Sequence, residues 1–275
     1  MIYSEVKDIE RAAARIRYNI VRMIGACHTG HLGGSCSLAD IAAVLYGHVM
    51  NYDPKNVSLP ERDRFLLSKG HAALVQYAAM AEIGCFPEEE LDTLKKLGSR
   101  LQGHPDCTKL PGIEANTGSL GQGLSIACGM AAGLRLSGNP ARVYCIMGDG
   151  EQTEGQLWEA AMSATAYRLD NLTAVIDCNG LQATGAIRER FDTGDLRAKW
   201  EAFGWRVLEC DGHSVPALIA AFSEAKTVRD RATVILAHTV KGKGVDFAEN
   251  VVAFHNGAMT QEQYDHAISV LGGQK

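Results

Sequence analysis

The chain has 275 residues, 46% of them hydrophobic, and a formal net charge of −5. That length and apolar share can bury one substantial core and exclude intrinsic disorder, while the acidic balance excludes a basic stripe that would attract nucleic acid. The N-terminus lacks the regions of a secretory signal and no apolar run approaches the roughly 20 residues of a membrane span, so a soluble cytoplasmic protein is expected.

In chain order, apolar residues Val6, Ile9, Ala13, Ile16, Ile20 and Ile24 recur every three or four positions and predict an amphipathic helix over 6–24. A second helix is expected over 37–50. Buried strands are expected at 64–68, 142–147, 172–177, 205–210 and 232–238, where short apolar runs are bounded by turn or charged residues. Helical patterns separate them at 71–83, 87–97, 121–137, 154–168 and 214–225, with Gly121 and Gly123 loosening the start of the third. The stretch 239–259 is glycine-rich and weakly periodic, a functional loop ahead of a short final helix. Strands alternating with helices require crossovers, so the expectation is α/β: a three-layer α-β-α domain over 1–275 with a mostly parallel sheet. Ligands of such sheets sit beyond the carboxyl ends of the strands.

The eight cysteines contain no C-x-x-C pair and are expected to be reduced. Cys27, His28, His31 and Cys36 bring two zinc-ligand types together, although at irregular spacing. A stronger constellation lies at two strand ends. The strand at 142–147 runs into Gly148-Asp149-Gly150, and about 30 residues later the strand at 172–177 runs into Cys178-Asn179-Gly180. A carboxylate, an amide oxygen and a nearby main-chain carbonyl suit magnesium, with diphosphate oxygens completing its octahedron. Taken alone, Gly-Asp-Gly is also an ordinary strand-terminating turn.

The pair of strand ends resembles the thiamine-diphosphate signature, and five further segments, in order, are similar to transketolases. They are Thr29-Gly30-His31-Leu32-Gly33-Gly34, Leu67-Ser68-Lys69-Gly70-His71, Gln102-Gly103-His104-Pro105, Thr117-Gly118-Ser119-Leu120-Gly121-Gln122-Gly123 and Phe254-His255-Asn256-Gly257. The resemblance implies the thiamine-diphosphate-binding fold, with thiamine diphosphate and magnesium as cofactors. It implies transfer of a two-carbon ketol unit from a ketose phosphate to an aldose. His31, His71, His104 and His255 would line the substrate channel and move protons, as imidazoles near neutral pH can. Asp149 and Asn179 would hold magnesium with the Leu181 carbonyl. Gly118, Ser119, Leu120, Gly148, Gly150, Glu151 and Lys241 would contact the cofactor, together with His71 and His255; Lys243 is the other basic candidate. Glu154 would face the partner's cofactor-activating carboxylate, although it also reads as an ordinary helix N-terminal acid.

Transketolases are far longer, and this chain matches their first domain only. The resemblance therefore implies a split enzyme: a C-terminal partner subunit with the pyrimidine-binding domain and its glutamate, in a two-plus-two assembly. Leu32 stands where ordinary transketolases carry proline, as in deoxyxylulose-phosphate synthase, which is the nearest alternative; a non-catalytic scaffold retaining the fold is another. No G-x-G-x-x-G fingerprint follows an early strand, which argues against a nicotinamide enzyme.

Overall fold

The computed structural model describes residues 1–273. Helix α1 (Val6–Ile24) buries Ile9, Ala13, Ile16, Ile20 and Ile24, the stripe their spacing predicts. After the two-residue strand β1 (Thr29–Gly30), α2 (Leu32–Cys36) and α3 (Ala39–Val44) lead into a π-helical turn at Leu45–Val49. The helix expected over 37–50 thus starts earlier, at Leu32, and is interrupted at Ser37. There the hydroxyl donates to the Asp177 carboxylate at 2.6 Å, and such side-chain bonding competes with regular winding.

Strand β2 (Arg64–Leu67) passes through a 3-10 turn at Gly70–Ala72 into α4 (Ala73–Glu82). The helix expected over 87–97 is only a 3-10 turn at Glu88–Thr93; Lys95 takes a φ of +60°, which right-handed winding cannot accommodate. Helix α5 (Gln122–Leu136), β3 (Val143–Gly148), α6 (Gly155–Ala166) and β4 (Leu172–Cys178) then follow in the expected order. A hairpin of β5 (Leu181–Gln182) and β6 (Gly185–Ala186) and the short helices α7 (Ile187–Arg190) and α8 (Leu196–Ala202) were not visible as periodic patterns. Strand β7 (Arg206–Asp211), α9 (Val215–Thr227), β8 (Thr233–His238), β9 (Gly257–Ala258) and α10 (Gln261–Gly272) complete the order. Helix α10 starts at a reciprocal cap between Thr260 and Gln263.

Strands β2-β3-β4-β8-β7 form one sheet whose neighbours are all parallel, and β1 pairs with β9 antiparallel at the sequence's two distant loops. Alternate strand residues divide between two cores. Phe65, Leu67, Tyr144, Ile146, Val175 and Ile235 pack with residues of α1, α3, α4 and α9. Leu66, Val143, Cys145, Met147, Ile176 and Val234 pack on the other face with residues of α5, α6 and Trp200 of α8. The sheet is therefore buried on both sides, and the polar residues at its carboxyl edge have only the loops above them. All eight cysteines are free, and among the described residues no helix is long and apolar enough to cross a membrane.

Ile16 is 1% exposed and Arg11, one turn away, faces solvent with 63% of its side chain accessible. Ile16→Ala should lower the stability of the chain by about 2–5 kcal/mol in denaturant unfolding, and Arg11→Ala by less than about 0.5. Equal losses would contradict this packing of α1.

Candidate active site

The tips of three strands and the break between α2 and α3 meet around a carboxylate that is completely buried. Asp177, at the end of β4, accepts hydrogen bonds from Lys69 Nζ at 2.5 Å, Ser37 Oγ at 2.6 Å, Asn179 Nδ2 at 3.0 Å and the Thr239 hydroxyl. Burial alone would push its carboxyl up, but the adjacent ammonium and hydroxyls outweigh this and hold it below the usual range. Lys69 follows β2 and also donates to the Gly34 carbonyl at 3.0 Å; Thr239 follows β8. Neither Lys69 nor Asp177 was singled out from sequence, the first because it sits inside a histidine motif, the second because it reads as the last residue of a strand.

Around this centre lies a cleft of about 340 Å³. It is lined by His31, His71, His255, Gly118, Leu120, Gly148, Asp149, Gly150, Glu151, Glu154, Asn179, Leu181 and Lys241, so most of the expected residues share one wall system. Ser119 and His104 are outside that lining, whereas Gly34, Lys69, Thr153, Gln182, Ala183 and Thr184 join it unforeseen. The last three belong to the β5–β6 hairpin, whose polar sequence carries no motif.

Asp149 accepts from the backbone N–H of Gly150 at 2.8 Å and of Gly180 at 2.6 Å, which joins the two strand ends directly. Burial, and then Asp177 nearby, raises its carboxyl to about 6. Asn179 is held between Asp177 and the Leu181 N–H, 3.1 Å from its Oδ1. The Leu181 carbonyl accepts from Lys241 Nζ at 2.8 Å. Lys241 is 2% exposed, and burial followed by Lys69 lowers its ammonium to about 8. Lys243 points elsewhere, with its ammonium 3.6 Å from Glu249.

The residues present fit a magnesium-bound diphosphate. Asp149 is raised by burial and by Asp177, a carbonyl of the expected ligand set is met by an ammonium, and His255 Nδ1 is buried without a hydrogen-bond partner among the described residues. Among the described residues no group of three or more His, Cys, Asp or Glu is placed to hold a metal, which disfavours a zinc site at Cys27, His28, His31 and Cys36. A site with one carboxylate and neutral oxygens is of the other kind, suited to magnesium.

Glu151 is 2% exposed, and its carboxylate already receives the Ser68 hydroxyl, the Gly121 N–H at 2.8 Å and the Gly148 N–H at 3.0 Å. It therefore fastens the Gly118–Leu120 loop to the end of β3. Backbone contact explains the glycines there: a Cβ on Gly70 would lie 2.5 Å from the Thr117 carbonyl, and one on Gly118 (φ +141°) 2.5 Å from the His104 ring. Gln152 continues the clamp, donating to the Gly148 carbonyl at 2.9 Å and receiving Trp200 Nε1 at 3.3 Å. Glu154 precedes α6 and is exposed, and its side chain makes no capping hydrogen bond to that helix.

Four histidines arrive from four separate segments. The His31 ring centroid lies 5.0 Å from that of His71, 5.7 Å from His255 and 6.4 Å from His104. His71 and His255 are 5.1 Å apart. Burial, reinforced by Lys95 for His31 and by Lys241 for His255, lowers both of these to about 4; His71 and His104 are lowered as well. Burial thus favours the neutral form of these rings, which then each carry one donor and one acceptor. Leu32, the departure from the proline pattern, is 1% exposed in the α1-side core and does not reach the cleft.

Comparison with known proteins places this geometry. The chain is 44% identical over 264 residues to a 6-deoxy-6-sulfo-D-fructose transketolase subunit of Clostridium sp. (strain MSTE9), with 96% of each chain covered. It is 38% identical to one of the subunits of an apulose-4-phosphate transketolase of Phocaeicola vulgatus, covering 96% of this chain and 94% of that one. The fold superposes with a TM-score of 0.90 on a transketolase mutant from Pichia stipitis, at 30% identity, covering 98% of this chain and 41% of that one. The Campylobacter jejuni transketolase gives the same TM-score at 29% identity, with 43% of its chain covered. The family described as "Transketolase, thiamine diphosphate binding domain" matches residues 9–274, and the chain belongs to it.

Proposed function

We propose that this chain is the N-terminal subunit of a split transketolase, which moves a two-carbon ketol unit between sugars in a cytoplasmic two-plus-two assembly. The convergence of the Asp149–Asn179–Leu181 oxygens with His31, His71 and His255 on one cleft, and with His104 beside His31, carries the reading. Two relatives that match nearly end to end are themselves named as transketolase subunits, which supports a separate partner chain. That partner would bring the pyrimidine-binding domain and the glutamate that activates the cofactor, and Glu154 at the rim of the cleft would face it.

Asp149, Asn179 and the Leu181 carbonyl would hold magnesium, and Lys241 would turn from that carbonyl to the diphosphate. His71 and His255 would donate to the same anion from the other side. Thiamine diphosphate, once bound, supplies the electron sink for cleaving a bond beside a carbonyl. This chain's own contribution is position and protons. His31 and His104 would orient donor and acceptor hydroxyls, and His255, with its unpartnered nitrogen, would hold or release a proton at the sugar oxygen. The names of the two relatives point to a donor ketose that carries a sulfonate or phosphate.

Coexpression with a C-terminal transketolase chain, assayed with several anionic ketose donors, should give transfer that neither chain shows alone. A normal enzymatic rate from this chain by itself would overturn the split reading. Asp149→Ala should weaken magnesium-dependent cofactor binding by about 100-fold or more in the assembled enzyme, since even supporting residues of metal sites cost about 10–100-fold. Binding should also depend on acidity. Above pH 6 the Asp149 carboxyl is ionised and ready for a cation; below it a dication must displace a proton, so cofactor affinity should fall roughly tenfold per further pH unit and stay level between pH 7 and 8. An affinity that is flat from pH 5 to 8 would show that Asp149 does not meet the metal.

A further inference from the structure

The turn that presents Lys241 is fastened at every residue. Thr239 donates its N–H to the Cys178 carbonyl at 3.2 Å, Lys241 reaches Leu181, and Gly242 donates its N–H to the Gly33 carbonyl at 2.9 Å. The Val240 N–H alone is held by a side chain: it donates to His213 Nε2 at 2.8 Å. The other nitrogen of that ring, Nδ1, lies 2.7 Å from an oxygen of Asp40, which is paired with Arg17.

A backbone N–H can only donate, so Nε2 must carry a lone pair and Nδ1 the proton, with Asp40 as its acceptor. The ring is thereby fixed as one neutral tautomer. The three side chains are 15%, 8% and 12% exposed for His213, Asp40 and Arg17, so water does not easily substitute for any of these bonds. Burial opposes ionisation of Asp40, yet His213 and Arg17 outweigh it and keep the carboxyl below its ordinary range. The contact is also sterically set. A Cβ on Gly212 would lie 2.4 Å from the Thr239 side chain, so only glycine lets the β7–α9 turn approach the end of β8 this closely.

We infer that His213, held by Asp40 and Arg17, is a positioning residue that fixes the Thr239–Gly242 turn and so places the Lys241 ammonium for the cofactor's diphosphate. The inference rests on the transketolase reading for its link to the cofactor. The link from His213 to the turn stands on the hydrogen bonds alone. Three elements separated in sequence meet at this ring: α1 through Arg17, α3 through Asp40, and the segment after β8 through Val240. His213 touches neither the cleft nor a metal ligand.

The test uses the enzyme assembled with its partner chain and three variants. His213→Gln can still accept from Val240 but loses the Asp40 bond. His213→Asn can still donate to Asp40 but falls short of Val240, and His213→Leu does neither. Amide hydrogen exchange across 239–242 should quicken in the Asn and Leu variants and remain near wild type in the Gln variant. The apparent dissociation constant for thiamine diphosphate should rise about tenfold in Asn and Leu, the effect of leaving one buried donor unmet, with kcat at saturating cofactor within about twofold. Unchanged exchange in all three variants overturns the role of His213 in holding the turn. Changed exchange with equal cofactor affinities overturns the link to Lys241 and leaves the transketolase reading intact. A wild-type assembly that binds no thiamine diphosphate sinks that reading and the link together, leaving exchange to decide the tie between His213 and the turn.

Discussion

The site depends on one charge kept out of water. Asp177 is fully buried, and an unpaired carboxylate there would be prohibitively costly. It is tolerable because Lys69, Ser37, Asn179 and Thr239 all direct donors at it, and these residues come from the ends of β2, β4 and β8 and from the break between α2 and α3. Removing any partner leaves a buried charge less compensated, which couples the positions of those segments to one another. The neighbouring Asp149 then finds itself close to a second negative charge in a dry setting. Its raised carboxyl reflects this, and a bound dication relieves it. In this view Asp177 orders the strand tips and Asp149 is left as the acid that the proposed magnesium would meet.

The histidines follow the same logic. Lys69 and Lys241 put two positive charges beneath the cleft, and with burial they hold the His71 and His255 rings neutral. An incoming diphosphate adds negative charge next to those rings and favours their protonated forms. The proton affinities of these rings therefore depend on the charge that occupies the cleft. Glu151 ties the glycine loop before α5 to the end of β3, and Gln152 ties that strand end to Trp200 of α8.

Much of the architecture was legible in the sequence because it follows from periodicity. The bounds of α1 and the five sheet strands emerge from apolar spacing that burial then satisfies. What periodicity could not show were features set by side-chain bonds and backbone sign. The break at Ser37 follows from its bond to Asp177, and the early end of the 87–97 helix from the left-handed Lys95. The site was legible through glycine-flanked motifs, since backbone must approach closely where loops cross. Asp177, Lys69 and His213 escaped because their importance lies in partners distant along the chain. His213 meets Asp40, 173 residues away, and no local spacing could announce that contact.

Charge and exposure also bear on the proposed partner chain. The cleft lining gathers the cations Lys69 and Lys241 with the histidines His31, His71 and His255. Its carboxylates, Asp149, Glu151 and Glu154, all follow β3; the first two accept backbone N–H groups, and the exposed Glu154 makes no side-chain cap to α6. A Cβ on Gly121 would lie 2.5 Å from that of Glu154, so the glutamate's backbone is fixed by close packing while its carboxylate remains free to meet a group from outside the chain. Rigid placement of an exposed acid is an arrangement that folding alone does not require, and a second surface closing over the cleft gives it a use.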